Sequence, residues 1–260
     1  MSCDKRVRYY SEFTDDFFDG EIKPLPENYK WVRDDMRSKI ISKIVYAAAV
    51  VFGFFYGKFY LRLKVVGREK LKGYKKSGIF LFANHTQPVG DVFDPALVVF
   101  PKRIYTIASV ANMSLPVIGK ILPFLGALPL AGTVSGVKEL SRAVKKRLSE
   151  NACIVIYPEA HVWDWCTFIR PFPDSSFKFP VKENKPVFCA TSVYTKSKFF
   201  KRPKMTVYID GPFSADGEES VKAASKALRD TVLKTMTERS RLCDCEYVKY
   251  IRRENVKTDF

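Results

Sequence analysis

The stretch Ile79-Phe80-Leu81-Phe82-Ala83-Asn84-His85 decides how this chain is read. Five apolar residues in a row, followed at once by polar ones and by the turn formers Pro88 and Gly90, have the pattern of a short strand buried on both faces. Such strands belong to parallel sheets covered by helices. Four further runs fit the same description, at 104–110, 153–157, 187–194 and 205–209. The segments between them carry helical stripes: Val137, Leu140, Val144 and Leu148 in one, with Ser135 as its expected N-cap, and Val221, Ala224, Leu228, Val232 and Met236 in another. Alternating strands and helices predict an α/β fold with a mostly parallel central sheet and flanking helices. Ligands bind such sheets beyond the carboxyl ends of the strands, which puts Asn84-His85 and Pro158-Glu159 on the rim where chemistry is expected.

Working outward, residues 1–37 alternate polar and aromatic positions and contain Pro24 and Pro26, a composition that suits an extended arm better than a helix. Residues 44–57 are uncharged and mostly apolar, shorter than the roughly 20 residues that span a bilayer. Lys39, Lys43, Lys58, Arg62 and Lys64 flank this run, and aromatic residues from Phe52 to Tyr60 crowd its second half. Basic ends and interfacial aromatics are what a helix lying among lipid headgroups requires; a buried core helix is the competing expectation. The organisation expected is therefore an arm and membrane-interface helix over 1–64 and an α/β domain over 65–260.

At 260 residues and 47% hydrophobic, the chain can bury one sizeable core, which excludes a disordered protein. Its formal charge of +16 calls for a polyanionic partner: nucleic acid, anionic lipid or a phosphorylated ligand. The basic residues are dispersed and form no recognised nucleic-acid motif, so an anionic membrane surface is the expected partner and nucleic acid is not. The six cysteines show no Cys-x-x-Cys pairing, and the first residues are not of the secretory type; reduced thiols on the cytoplasmic face of a membrane are expected.

The chain has only two histidines, His85 and His161, each placed just after one of the predicted strands. The turn after His85 can return the carboxylate of Asp91, or of Asp94, to the imidazole. An imidazole oriented by a carboxylate can take the proton of an alcohol as that alcohol attacks an acyl carbon, and no covalent nucleophile is then required. No Gly-x-Ser-x-Gly elbow is present to supply one.

Phe82-Ala83-Asn84-His85 with an aspartate downstream, followed by Tyr157-Pro158-Glu159, resembles the first and third motifs of the 1-acylglycerol-3-phosphate acyltransferase family. Ser114-Leu115-Pro116-Val117-Ile118-Gly119 with Gly126-Ala127-Leu128-Pro129-Leu130 resembles the approach to its second motif, and Lys185-Pro186-Val187-Phe188 the approach to its fourth. The similarity runs from about Val65 to Phe213. It implies a fatty acyl group moved from acyl-CoA or acyl carrier protein to the hydroxyl of a lysophospholipid or glycerol-phosphate-type acceptor. His85 would be the base, Asp91 its partner, and Asn84, Glu159, His161 and Arg170 acceptor-site residues; no cofactor or metal is implied. Attachment to the membrane would be peripheral or monotopic.

The departures from the family pattern bear on the acceptor. The histidine and aspartate stand one residue further apart than the family's spacing, and Gly90 is expected to absorb the extra residue by its conformational freedom. The third motif continues Ala160-His161-Val162 instead of Gly-Thr-Arg, and the second, at Leu130-Ala131-Gly132, lacks its arginine. Two phosphate-clamping cations are thus missing, for which Arg170 or Lys178 are the candidates. Trp163, Trp165 and the apolar stretch from Val117 to Leu130 are expected to line an acyl groove, meet lipid or pack in the core. A catalytically silent lipid-binding protein of the same fold is the alternative.

Overall fold

A computed structural model describes residues 6–17, 23–130 and 132–253. Its centre is a seven-stranded sheet. The strands are β2 (Lys64–Val66), β3 (Ile79–Ala83), β4 (Ile104–Ser109), β5 (Ala127–Leu130), β6 (Cys153–Ile156), β7 (Val187–Thr195) and β8 (Lys204–Phe213), in the spatial order β2-β8-β7-β3-β6-β4-β5. Every pairing is parallel except the long β7–β8 ladder, so the mostly parallel α/β expectation holds. β3 lies at the middle and is buried at all five positions, which is why its sequence shows no alternation.

Side chains of β3 alternate between two cores. Ile79, Leu81 and Ala83 join one face with Val155, Phe188 and Trp165; Phe80 and Phe82 join the other with Ile154, Leu140, Val144 and Leu228. The second core is covered by α5 (Val134–Ser149) and α7 (Val221–Ser240), the two helices whose stripes the sequence displays. α5 is capped two residues earlier than expected: Thr133, not Ser135, accepts the backbone N–H of Gly136 at 3.1 Å. After the short α3 (Val110–Met113), the apolar stretch from Val117 is divided between α4 (Ile118–Leu125), which ends at Gly126 with a φ of +107° that suits a glycine, and β5.

The arm contains a strand, β1 (Arg6–Tyr10), that pairs in parallel with β9 (Val248–Arg252) near the other end of the sequence. The expected boundary at 64/65 falls inside β2. Helix α1 (Met36–Phe55) continues through a π-helical segment to Leu61, giving 26 residues that are long and apolar enough to cross a membrane. That is nearly twice the run seen in the sequence, because Lys39, Lys43 and Lys58, treated as flanks, lie within the helix. Only Gly53, Gly57 and Leu61 are buried, so the core-helix expectation fails. One face of α1 packs on α4 and α2 (Gly90–Val98), with a Cβ on Gly53 meeting Phe93 Cβ at 2.8 Å; Ile40, Ile44, Val51, Phe55 and Phe59 point outward. Cys245 is in a disulfide, which overturns the expectation of six reduced thiols; Cys153, Cys166, Cys189 and Cys243 are free. Cys3 lies outside the described residues.

Candidate active site

Adjacent parallel strands β3 and β6 run in register, Phe82 opposite Ile156, so the loops that leave their carboxyl ends meet. The first loop carries His85, the second Glu159 to Arg170. Two backbone bonds stitch them together: Trp163 N–H donates to His85 O at 3.0 Å and Trp165 N–H to Thr86 O at 2.9 Å.

His85 Nδ1 lies 2.7 Å from Asp91 Oδ2, and the same oxygen accepts the backbone N–H groups of Thr86 and Gln87, each at 2.9 Å. Asp91 stands in the first turn of α2 and reaches back to the loop that precedes it. Three donors on one carboxylate oxygen fix its position. With Nδ1–H donating to Asp91, the lone pair of the imidazole is on Nε2. The ring is 17% exposed and stacks on Tyr157, centroids 4.2 Å apart, whose hydroxyl donates to Asp91 O at 2.7 Å. Burial, with the neighbouring charge of Asp91, pushes the Tyr157 hydroxyl well above its ordinary value, so it stays a donor.

Asp94, the other carboxylate considered, is buried and neither of its oxygens has a hydrogen-bond partner. Burial and the neighbouring Asp91 raise its pKa well above 3.8, so it is held neutral and unsuited to orienting a cation. The role of Gly90 also differs from expectation. It is not among the glycines of positive φ; a Cβ there would meet Asp94 Oδ2 at 2.6 Å and Gln87 Cβ at 2.9 Å. Close packing, not a left-handed turn, demands the glycine.

The remaining residues expected to bind acceptor are occupied otherwise. Asn84 is buried, its Oδ1 accepting Ser192 N–H at 2.8 Å and its Nδ2 donating to Ser192 O at 3.3 Å, which ties β3 to β7. Glu159 and Arg170 form an ion pair with both side chains 1% exposed. Glu159 Oε2 accepts Arg170 Nη2 at 3.1 Å and His85 N–H at 3.0 Å; its Oε1 accepts Arg170 N–H at 2.8 Å. Arg170 also donates to His161 O and covers the Trp163 ring at 4.7 Å. Neither charge presents a free face, so Arg170 does not replace a phosphate clamp. Lys178 opens α6 (Lys178–Glu183). Trp163 and Trp165 pack in the core, against Tyr250 and against Tyr194 and Tyr247, and rim no groove. His161 pairs through Nδ1 with Asp16 of the arm at 3.0 Å, both side chains more than a third exposed.

Sequence reading missed Tyr157 as a wall of the histidine site and Tyr194, whose hydroxyl lies 2.7 Å from Thr86 Oγ1 and accepts Gln87 Nε2 at 3.0 Å. Tyr157 could have been found from its place at the end of a predicted strand, just before Pro158-Glu159.

The fold resembles that of a glycerophosphate acyltransferase. The crystal structure of the 1-acyl-sn-glycerophosphate (LPA) acyltransferase PlsC from Thermotoga maritima matches at a TM-score of 0.54 and 18% identity, covering 80% of this chain and 83% of that one. At that identity the likeness is one of fold. No family model and no curated protein sequence matches the chain.

Proposed function

We propose that this chain transfers a fatty acyl group from a thioester, acyl-CoA or acyl carrier protein, to the hydroxyl of a lysophospholipid or glycerol-phosphate-type acceptor at a membrane surface. The observation that carries the reading is the His85–Asp91 pair at 2.7 Å, with the carboxylate pinned by two backbone N–H groups at the carboxyl edge of a parallel sheet. His85 Nε2 accepts the acceptor's hydroxyl proton as its oxygen attacks the thioester carbonyl carbon. The tetrahedral intermediate then expels the thiolate, which takes the proton from the imidazolium. Asp91 holds the ring in the tautomer that leaves Nε2 basic and stabilises the cation formed. Tyr157 fixes the plane of the ring. The PlsC-like fold and the motif resemblance agree with this chemistry.

With Arg170 consumed by Glu159, the clamps familiar for a glycerol phosphate are absent from the His85 loop, and a lysophospholipid held by its apolar tail is the better acceptor. The outward apolar face of α1, with the domain packed on its other face, supports monotopic or peripheral attachment. Transfer of labelled acyl groups from acyl-CoA and from acyl carrier protein to a lysophospholipid panel tests the proposal, with His85→Ala beside wild type. Transfer abolished in a folded His85→Ala protein is expected. Equal transfer by the variant removes His85 as base, and no transfer by wild type to any acceptor leaves a silent lipid-binding protein.

A further inference from the structure

Parallel strands have two ends, and the second carries a site of its own. Beyond the amino-terminal ends of β4 and β5 lies a cavity of about 490 Å³, walled by α1, the segment 30–34, α4 and the last turn of α5. Its volume falls in the range of pockets that hold organic ligands. Arg103, just before β4, and Arg147, near the end of α5, form its floor; Lys30, Arg33, Lys39 and Lys43 surround it. Two carboxylates line it, and both are committed: Asp34 to Lys146 and Lys39, Glu150 to Arg147 at 2.8 Å. Among the described residues Lys30, Arg33, Lys43 and Arg103 have no ion pair. Arg147 is 9% exposed and its Nε has no hydrogen-bond partner. Arg103 lies 3.5 Å over the Tyr46 ring, and burial lowers its pKa, a cost that a bound anion would relieve.

We propose that this cavity binds the phosphate-bearing headgroup of an anionic membrane lipid. Guanidinium pairs and lysines converging on one space with no acid to spare suit a phosphate. The lipid source follows from α1. Ser38, Lys39, Ser42, Lys43, Tyr46 and Ala47 recur at helical spacing and face the cavity, while Ile40, Ile41 and Ile44 lie exposed beside them on the same turns. A headgroup seated among the cations leaves its acyl chains against that exposed apolar face, as basic pockets beside membrane helices do. His85 lies beyond the opposite ends of the strands, so this is a second site and stands whether or not the chain transfers acyl groups.

The test is calorimetric titration of the full chain with monomeric dihexanoyl phosphatidic acid, dihexanoyl phosphatidylcholine and inorganic phosphate. It is repeated on Lys30→Glu/Lys43→Glu and, as a milder change, Lys30→Ala/Lys43→Ala; both lysines are exposed. Phosphatidic acid is expected to bind wild type and His85→Ala alike, and roughly tenfold more weakly to the charge-reversed chain at unchanged Tm. Equal affinity in both lysine variants overturns the site. Phosphatidylcholine binding as tightly as phosphatidic acid overturns the anionic selectivity. Inorganic phosphate binding as tightly overturns the lipid and leaves a soluble phosphate as the ligand.

Discussion

The two histidines of this chain have the same partner chemistry and different surroundings. His85 meets Asp91 at 2.7 Å and His161 meets Asp16 at 3.0 Å, each through Nδ1, each just past the carboxyl end of a central strand. Asp91 comes from six residues along the same turn, is 6% exposed and is fixed by two backbone amides. Asp16 comes from the arm and is 40% exposed. A histidine–aspartate contact is therefore not itself a sign of chemistry. What separates the two is preorganisation: a carboxylate already held when the substrate arrives costs nothing to place in the transition state.

Asp91→Asn breaks the comparison most severely. The amide oxygen can still accept the two backbone N–H groups and Nδ1–H, so the fold should survive, but a neutral amide no longer stabilises the imidazolium. Acyl transfer is expected to fall by up to about 10⁴-fold, as measured by initial rates. Rates within a few-fold of wild type would show that the pinned carboxylate is not what distinguishes His85.

The Glu159–Arg170 pair joins the two histidine loops, since Glu159 also takes His85 N–H and Arg170 also donates to His161 O. Arg170→Met leaves a buried carboxylate with one side-chain donor fewer, and breaking such a pair costs about 3–5 kcal/mol. Denaturant unfolding should register that loss. Adding Glu159→Leu should return part of it, because the unpaired charge is then gone; a double variant no more stable than Arg170→Met would mean that the backbone bonds of Glu159 matter more than its charge.

Much of this was legible in advance. Four of the five strands could be read because both of their faces are largely buried, the less buried β4 because it is a short apolar run, and His85 because it follows the central one. The choice between Asp91 and Asp94 could not be made from spacing, since both stand within a helical turn and only burial tells the pinned ion from the neutral acid. Glu159 and Arg170 read as acceptor ligands because the family resemblance and its missing cations imply those roles; their mutual burial is a tertiary fact. The pairing of β1 with β9 and the cavity at the far end of the sheet join segments distant along the chain, and local pattern carries no record of such meetings.

Asp94 sharpens the contrast through pH. Its pKa is raised on folding, so the folded chain holds the more protons between the ordinary value of 3.8 and the folded one. Stability from this group is full below pH ~4 and is lost as pH rises through the folded value. Asp94→Asn cannot ionise, and its unfolding midpoint should decline less than that of wild type between pH 4 and 8. Parallel curves would mean that Asp94 is ionised in the fold.

Asp16→Asn asks least of the molecule. Its pair with His161 is solvent-screened and joins side chains that are both more than a third exposed, the situation in which ion pairs contribute about 0–1 kcal/mol. The arm remains held by Trp163 Nε1, which donates to Asp15 O at 3.0 Å, by Arg8 against Asp164 at 3.3 Å and by β1 on β9. Unfolding midpoints and transfer rates should both stay close to wild type, within about threefold for the rate. A drop in rate approaching that of Asp91→Asn would make the arm part of the reacting site and place His161, not only His85, against the substrate.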